Sequence, residues 1–450
     1  TLRPCSCSRS IATICASVHL LFLIVPKFRL ILRFYYPAHL ILGELTRSPY
    51  EASEALQESL ALYWLAFKAV LPGDLQDNIA INLANHLISL ERRLEAIQFL
   101  DQVLRRSPAF PQALVSRADA LWMLPIFSNG GLSASLIAQL YNGYRSALHC
   151  GPLPSKLKQH CELRMQQALT KLKSFGFDLP DLERELSESL VEFQSLSEQR
   201  RFSIENFLTL NEHAIYCSCD AAKWDDLQIG SSRLMLLGPV VPRLELLLNR
   251  VKSEYSLARW MYFKSAKEEN DFTLDAKFSE LFEGESLEPA TEMLRSSYRQ
   301  CYGILDKLAE GICQLYSIQP KKKVYFATIW DQTEVKEKFF EIKNNHLTAL
   351  VSIACDLKEG GELCEFKTWR NKMEHGLFML IDNEQAPLDP LGLLDDESIV
   401  SVDLEVFRDK ALHLLQLTRA AIMSFTYCVR LQTVVEDVGS AKPIVIDFRR

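Results

Sequence analysis

Arg370, Asn371, Glu374 and His375 fall in one short run, Arg370-Asn371-Lys372-Met373-Glu374-His375. It supplies an always-charged guanidinium, which holds a phosphate, and an imidazole that titrates near neutrality, which moves a proton. Cleaving RNA without a metal needs those two groups. The stretch from Glu365 to Phe378 reads as a helix. At about 100° per residue, Asn371 and His375 are neighbours on one face, as are Arg370 and Glu374. Arg370 and His375 are then about 140° apart. Arg370 must therefore curl around the helix to share a pocket with the imidazole, or meet it across a partner helix. The same spacing also suits a surface helix with an Arg370–Glu374 ion pair and a spare histidine, so the choice rests on context.

The chain has 450 residues, 48% hydrophobic and 24% charged, with a net charge of −7. That length holds about three domains, and the composition is globular. A protein that coats nucleic acid through its overall field is basic, so any RNA contact here must be local. Lys321-Lys322-Lys323, Arg92-Arg93, Arg105-Arg106 and Arg200-Arg201 are the candidate patches, each short enough to be a solvated face. The 12 cysteines form neither a dense disulfide framework nor a CxxC…CxxC pattern. His213, Cys217 and Cys219 are three soft ligands close in sequence, one short of the usual structural zinc set. No metal and no cofactor is expected. Free thiols in a reducing, cytoplasmic setting are the expectation.

The chain begins at Thr1 rather than Met, which points to a fragment, a processed form or a mis-set start. Residues 1–45 read as an apolar leader, with runs from Ile11 to Pro26 and Phe28 to Leu42. Each run is shorter than a membrane span, so membrane attachment is not expected.

The rest is expected to be all-α. From Asp77 to Pro108, Leu83, Ala84, Leu87, Ala96, Leu100, Val103 and Pro108 have the spacing of a tetratricopeptide repeat. A second unit starts near Pro111 with Leu114, Ala118 and Leu121, and is broken by an insertion containing Pro125 and Gly130-Gly131. The pattern resumes at Tyr144, Ala147 and Pro152. Tetratricopeptide-like repeats are thus placed over 46–176, stacked into an array with a concave face for a protein or peptide partner. A linker helix and irregular connection follow over 177–240, then a helical bundle over 241–437 and a tail over 438–450. Within the bundle, helices are expected over 241–265, 288–317, 334–357, 364–379 and 401–436. Lys323 to Trp330 reads as extended and 386–398 as a loop. Asp306 is a second acidic candidate, either aimed at the motif helix or part of an exposed Asp306-Lys307 dipeptide. Asp356 reads as a solvated or capping residue.

From Phe207 to Val435 the sequence resembles the HEPN proteins ("higher eukaryotes and prokaryotes nucleotide-binding"), in a bacterial branch with N-terminal tetratricopeptide repeats. The blocks appear in the expected order. Phe207–Asn211 and Ala221–Leu227 precede the bundle, and Leu248–Arg259 resembles its first long helix. Met293-Leu294-Arg295 with Ile304–Lys307 resembles the second. Trp330, Asn345, Ala349-Leu350 and Cys355-Asp356-Leu357 match the third and its approach. Trp369–His375 falls where the family's R-N-x-x-E-H signature belongs. The resemblance implies a four- to five-helix bundle that forms a homodimer with two R-x4-H motifs facing each other. It also implies metal-independent endoribonuclease or RNA-binding activity, often in defence or toxin–antitoxin settings. Carried over, His375 is the acid/base group and Arg370 holds the scissile phosphate. Asn371 orients the ring or the substrate, and Glu374 supports the motif. Non-catalytic RNA or nucleotide binding, and a dimeric scaffold, are the alternatives. No GxxxxGK[ST] loop or GxSxG elbow is present to suggest an NTPase or a serine hydrolase.

Overall fold

The computed structural model describes residues 49–69, 72–124, 131, 133–229, 240–267, 285–342, 344–381 and 399–440. The expected leader, the Pro125–Gly130 part of the insertion and the 386–398 loop lie outside these residues. So does the tail beyond Ser440.

Small residues and prolines set out the N-terminal half. Helices α1 (Pro49–Lys68), α2 (Gly73–Ser89), α3 (Arg93–Arg106), α4 (Pro111–Trp122), α5 (Ala134–His149) and α6 (Ser155–Ser174) each pack on the next. Pro111 opens α4, where the missing N–H costs no helical bond. Ser133 caps α5, its hydroxyl accepting the Leu136 N–H at 3.1 Å. The expected crossing residues Leu83, Ala84, Leu87, Ala96, Leu100 and Val103 are all fully buried, as are Tyr144 and Ala147. Gly143 lies so close to α4 that a Cβ there would come 3.2 Å from that of Ala118.

An Asp178 capping box begins α7 (Leu179–Ser195), and α8 (Glu198–Glu205) follows. Two 3-10 turns, His213–Ile215 and Asp220–Lys223, lead toward the second half. That half is built from α9 (Val240–Ser265), α10 (Pro289–Leu315), α11 (Thr333–Phe340), α12 (Asn345–Leu357), α13 (Cys364–His375) and α14 (Leu404–Ser440). Helix α14 runs through the bundle against α9, α10 and α12, and almost every residue from Leu414 to Arg430 is buried. Near its middle three helices meet at Gly311 of α10. A Cβ there would sit 2.6 Å from Leu247 and 2.8 Å from Phe425.

Three local expectations are corrected. The single helix expected over 334–357 is two, α11 and α12, because Asn344 leaves the helix to act as a hub. Its Oδ1 accepts the His346 N–H at 3.1 Å, and its Nδ2 reaches Cys428 O at 2.9 Å and Tyr316 Oη at 3.1 Å. The helix expected over 364–379 stops at His375. It gives way to strand β1 (Leu377–Ile381), which pairs in parallel with β2 (Ile399–Asp403) in register Leu377 to Ile399. Lys323–Trp330 is not a strand. From Tyr325 it turns into the 3-10 segment Ile329–Asp331, held by the Trp330 indole N–H on Phe326 O at 2.6 Å. The architecture is otherwise all-α. No helix of the described residues is long and apolar enough to cross a membrane.

The two halves share one continuous apolar core, from Leu94 and Ile97 of α3 to Val429 of α14. A buried polar network crosses the same boundary. Arg92 donates to both Glu95 oxygens, at 2.7 and 2.8 Å, and also bonds Asp356. Asp356 accepts in addition from Gln57 at 2.7 Å and from the Trp64 indole at 3.1 Å. Asp356 is 1% exposed and Arg92 2%. This corrects the expectation of a solvated Asp356 and removes Arg92 from the candidate RNA patches. Both charges lie in the interior because they satisfy each other there.

Candidate active site

The motif helix is aimed by the turn before it. Gly360 has φ +80°, which favours glycine, and a Cβ on Gly361 would lie 2.2 Å from Cys355 O. The chain therefore folds tightly back, with Leu363 N–H on Asp356 O at 2.8 Å, and α13 starts from there.

One face of α13 is apolar and sets its rotation. Phe366 is fully buried, and its carbonyl accepts the buried Tyr298 hydroxyl at 3.0 Å. Trp369, one turn on, packs its ring against Tyr298, Phe378 and Phe407. Met373, the next residue on this face, also packs against the core. With that face turned inward, Asn371, Glu374 and His375 are exposed and Arg370 is half-buried. His375 is the last residue of α13.

The i,i+4 ion pair open to Arg370 and Glu374 is absent among the described residues. Arg370 Nη1 instead donates to Asn371 Oδ1 at 3.2 Å. The guanidinium also sits near α10, close enough to act electrostatically on Asp306 and Tyr302. Burial pushes the Asp306 carboxyl up from its ordinary range, while the Phe326 N–H and then the Arg370 charge pull it down. That N–H reaches Asp306 Oδ1 at 2.8 Å. Asp306 is thus not part of an exposed dipeptide, and Lys307 is separately engaged with Glu254 at 2.9 Å. The fold brings Asp306 and Arg370 into one neighbourhood. His375 lies beyond it, about 7.5 Å further along the helix axis.

Tyr302 is a neighbour that the motif did not announce. It is 7% exposed, and its hydroxyl has no hydrogen-bond partner among the described residues. Burial first, and then the Asp306 charge, hold its phenol well above the ordinary range. Its i,i+4 spacing from Asp306 is the signal that could have found it.

Residues 238–432 match the family model for LA2681-like HEPN. The chain is a HEPN-domain protein. No curated protein and no solved structure matches it. The matched span takes in helices α9 to α13, both strands and α14 as far as Gln432, and Arg370 to His375 lie inside it. A HEPN domain points to RNase-like or nucleotide-related chemistry. In this one, the arginine and histidine of the motif stand on the outer side of a helix whose inner side is fully committed to the core.

Proposed function

We propose that the HEPN domain cleaves RNA as a metal-independent endoribonuclease. The observation that carries this is the placing of Arg370 and His375. Trp369 and Met373 anchor α13, so the two polar residues are presented outward on a rigid element, with Asp306 beside the guanidinium. An RNA 2′-hydroxyl next to its phosphate is an internal nucleophile at high effective concentration. The protein need only take that proton, protonate the departing 5′-oxygen and hold charge on the phosphorane-like transition state. His375 is the acid/base group and Arg370 the phosphate ligand. Asn371, already bonded to Arg370, orients the guanidinium or the substrate, and Glu374 supports the motif.

One chain presents one such histidine, and the reaction uses a base and an acid. We therefore take the working unit to be a homodimer with two motifs facing each other. Helices α1 to α6 act as a tetratricopeptide-like array that recruits a protein or peptide partner.

The test is incubation of labelled transfer RNA and total RNA with the protein, with EDTA added together with the RNA, followed by analysis of the ends. The expected result is cutting that leaves 2′,3′-cyclic phosphate and 5′-hydroxyl ends, with DNA of the same sequence inert. Cut DNA, or 5′-phosphate ends, would contradict the internal-nucleophile mechanism. Binding of RNA without cutting would turn the reading to a non-catalytic RNA-binding module.

A further inference from the structure

Outside the HEPN span, the irregular segment between α8 and α9 gathers three soft ligands on one side. His213, Cys217 and Cys219 each turn one ligand atom to a common point, all within 4.8 Å of one another. His213 Nε2 lies 3.0 Å from Cys219 Sγ. Around a tetrahedral zinc, bonds of about 2.3 Å to sulfur and about 2.0 Å to nitrogen set ligand atoms roughly 3.5–3.8 Å apart. The three atoms are within a small adjustment of that arrangement.

The surroundings match what a metal site requires. The other ring nitrogen of His213 meets Tyr216 Oη at 3.0 Å, and that hydroxyl meets Ser133 Oγ at 3.1 Å. A proton on Nδ1 shared with Tyr216 leaves the Nε2 lone pair facing the thiols, the usual outer-shell support of a ligating histidine. Cys217 Sγ accepts the Cys219 backbone N–H and lies near Ser189 Oγ, both at 3.5 Å. Asn211, 1% exposed, fixes the backbone. Its Oδ1 accepts the His213 and Ala214 N–H groups at 2.7 and 3.1 Å, and its Nδ2 donates to Ala221 O and Trp224 O at 3.0 Å each. Both flanks of the ligand segment hang on this one buried amide, which presets the ligands.

We propose that His213 Nε2, Cys217 Sγ and Cys219 Sγ bind a zinc-class divalent cation, with the fourth coordination position open to water. The proposal departs from the expectation of no metal, which counted ligands along the sequence and not around a point. The site stands where several parts of the molecule meet. Ser133 caps α5, Ser189 belongs to α7, and Glu212, beside His213, bonds Arg430 of α14. A cation here ties the N-terminal helices to the HEPN bundle, and it shares no residue with the Arg370–His375 motif.

The experiment is a Co2+ titration of the whole, metal-stripped chain in a non-thiol reductant, so that any Cys217–Cys219 disulfide is opened first. A single Co2+ per chain is expected, with thiolate-to-cobalt charge-transfer absorption and the intense visible bands of tetrahedral coordination, all displaced by Zn2+. Cys217→Ser with Cys219→Ser should abolish the charge-transfer absorption, and exposed Cys150→Ser should leave it intact. Tyr216→Phe, which spares every ligand, should weaken affinity about 10- to 100-fold. No charge-transfer absorption at saturating Co2+, or absorption that survives the double variant, would overturn the proposal. Should the double variant fail to fold, alkylation of the wild type decides instead. Zn2+ must slow modification of Cys219 and Cys217, and unchanged rates at both would overturn the site.

Discussion

At the scale of single residues, the motif was legible because its chemistry depends on residue type and short spacing. Arg370, Asn371, Glu374 and His375 are all on α13, as their spacing requires. What spacing could not show was which face the core would claim. Trp369 and Met373 decide that, and they leave Arg370 at the flank next to α10. The geometry favours the guanidinium specifically, since its planar fork can bond Asn371 and still reach a phosphate. Arg370→Lys is predicted to lower the RNA cleavage rate about 10²-fold while leaving the thermal midpoint unchanged. A lysine variant that cuts at the wild-type rate would show that only charge is needed there. Asp356 and Arg92 were misread for the converse reason. Each was judged beside its neighbours in sequence, whereas the charge that it meets in the interior, Asp356 for Arg92 and Arg92 for Asp356, lies in the other half of the chain.

At the scale of elements, helices were the easiest part to read. Their apolar residues recur at short range, and the bundle helices fall close to their expected spans. The parallel pairing of β1 with β2 was not legible, because neither five-residue strand satisfies its backbone without the other. The break at Asn344 was missed because the partners that draw it out of the helix, Tyr316 and Cys428, come from α14 and the end of α10. The Gly360-Gly361 turn ahead of α13 has little room to spare. Gly361→Val is predicted to displace the start of α13, because its Cβ would press into Cys355 O and Asp356 O, backbone atoms with no freedom to yield. The checks are the near-ultraviolet signal of Trp369 and the cleavage rate, both of which should fall. Unchanged values for both would mean that the turn does not position the motif.

At the scale of the whole molecule, the core is continuous across the two halves and the Arg92–Asp356 pair lies inside it. Asp356→Ala would take the buried acceptor away from Arg92, the Gln57 amide and the Trp64 indole at once, and is predicted to destabilise the chain by about 3–5 kcal/mol. Urea unfolding measures this, and a loss below about 1 kcal/mol would mean that water reaches Arg92. Stability should also depend on pH through His346. Burial, and then the charges of Arg93 and Arg430, depress its imidazole from 6.5 to about 3. A depressed folded-state value stabilises the fold above the unfolded value, and that contribution is lost as pH falls from about 6.5 toward 3. His346→Leu should flatten the acid limb of the stability curve by up to about 1.4 kcal/mol per pH unit within that window. An unchanged slope would assign the acid sensitivity to other groups. The central claim, that this HEPN domain cuts RNA with Arg370 and His375, is tested most directly by single-turnover cleavage of one labelled RNA. Wild type is compared with His375→Ala at matched folding and oligomeric state. The predicted result is metal-independent cutting by the wild type and a loss of about 10²- to 10⁴-fold in the variant. A His375→Ala protein that cuts as fast as the wild type would contradict the claim.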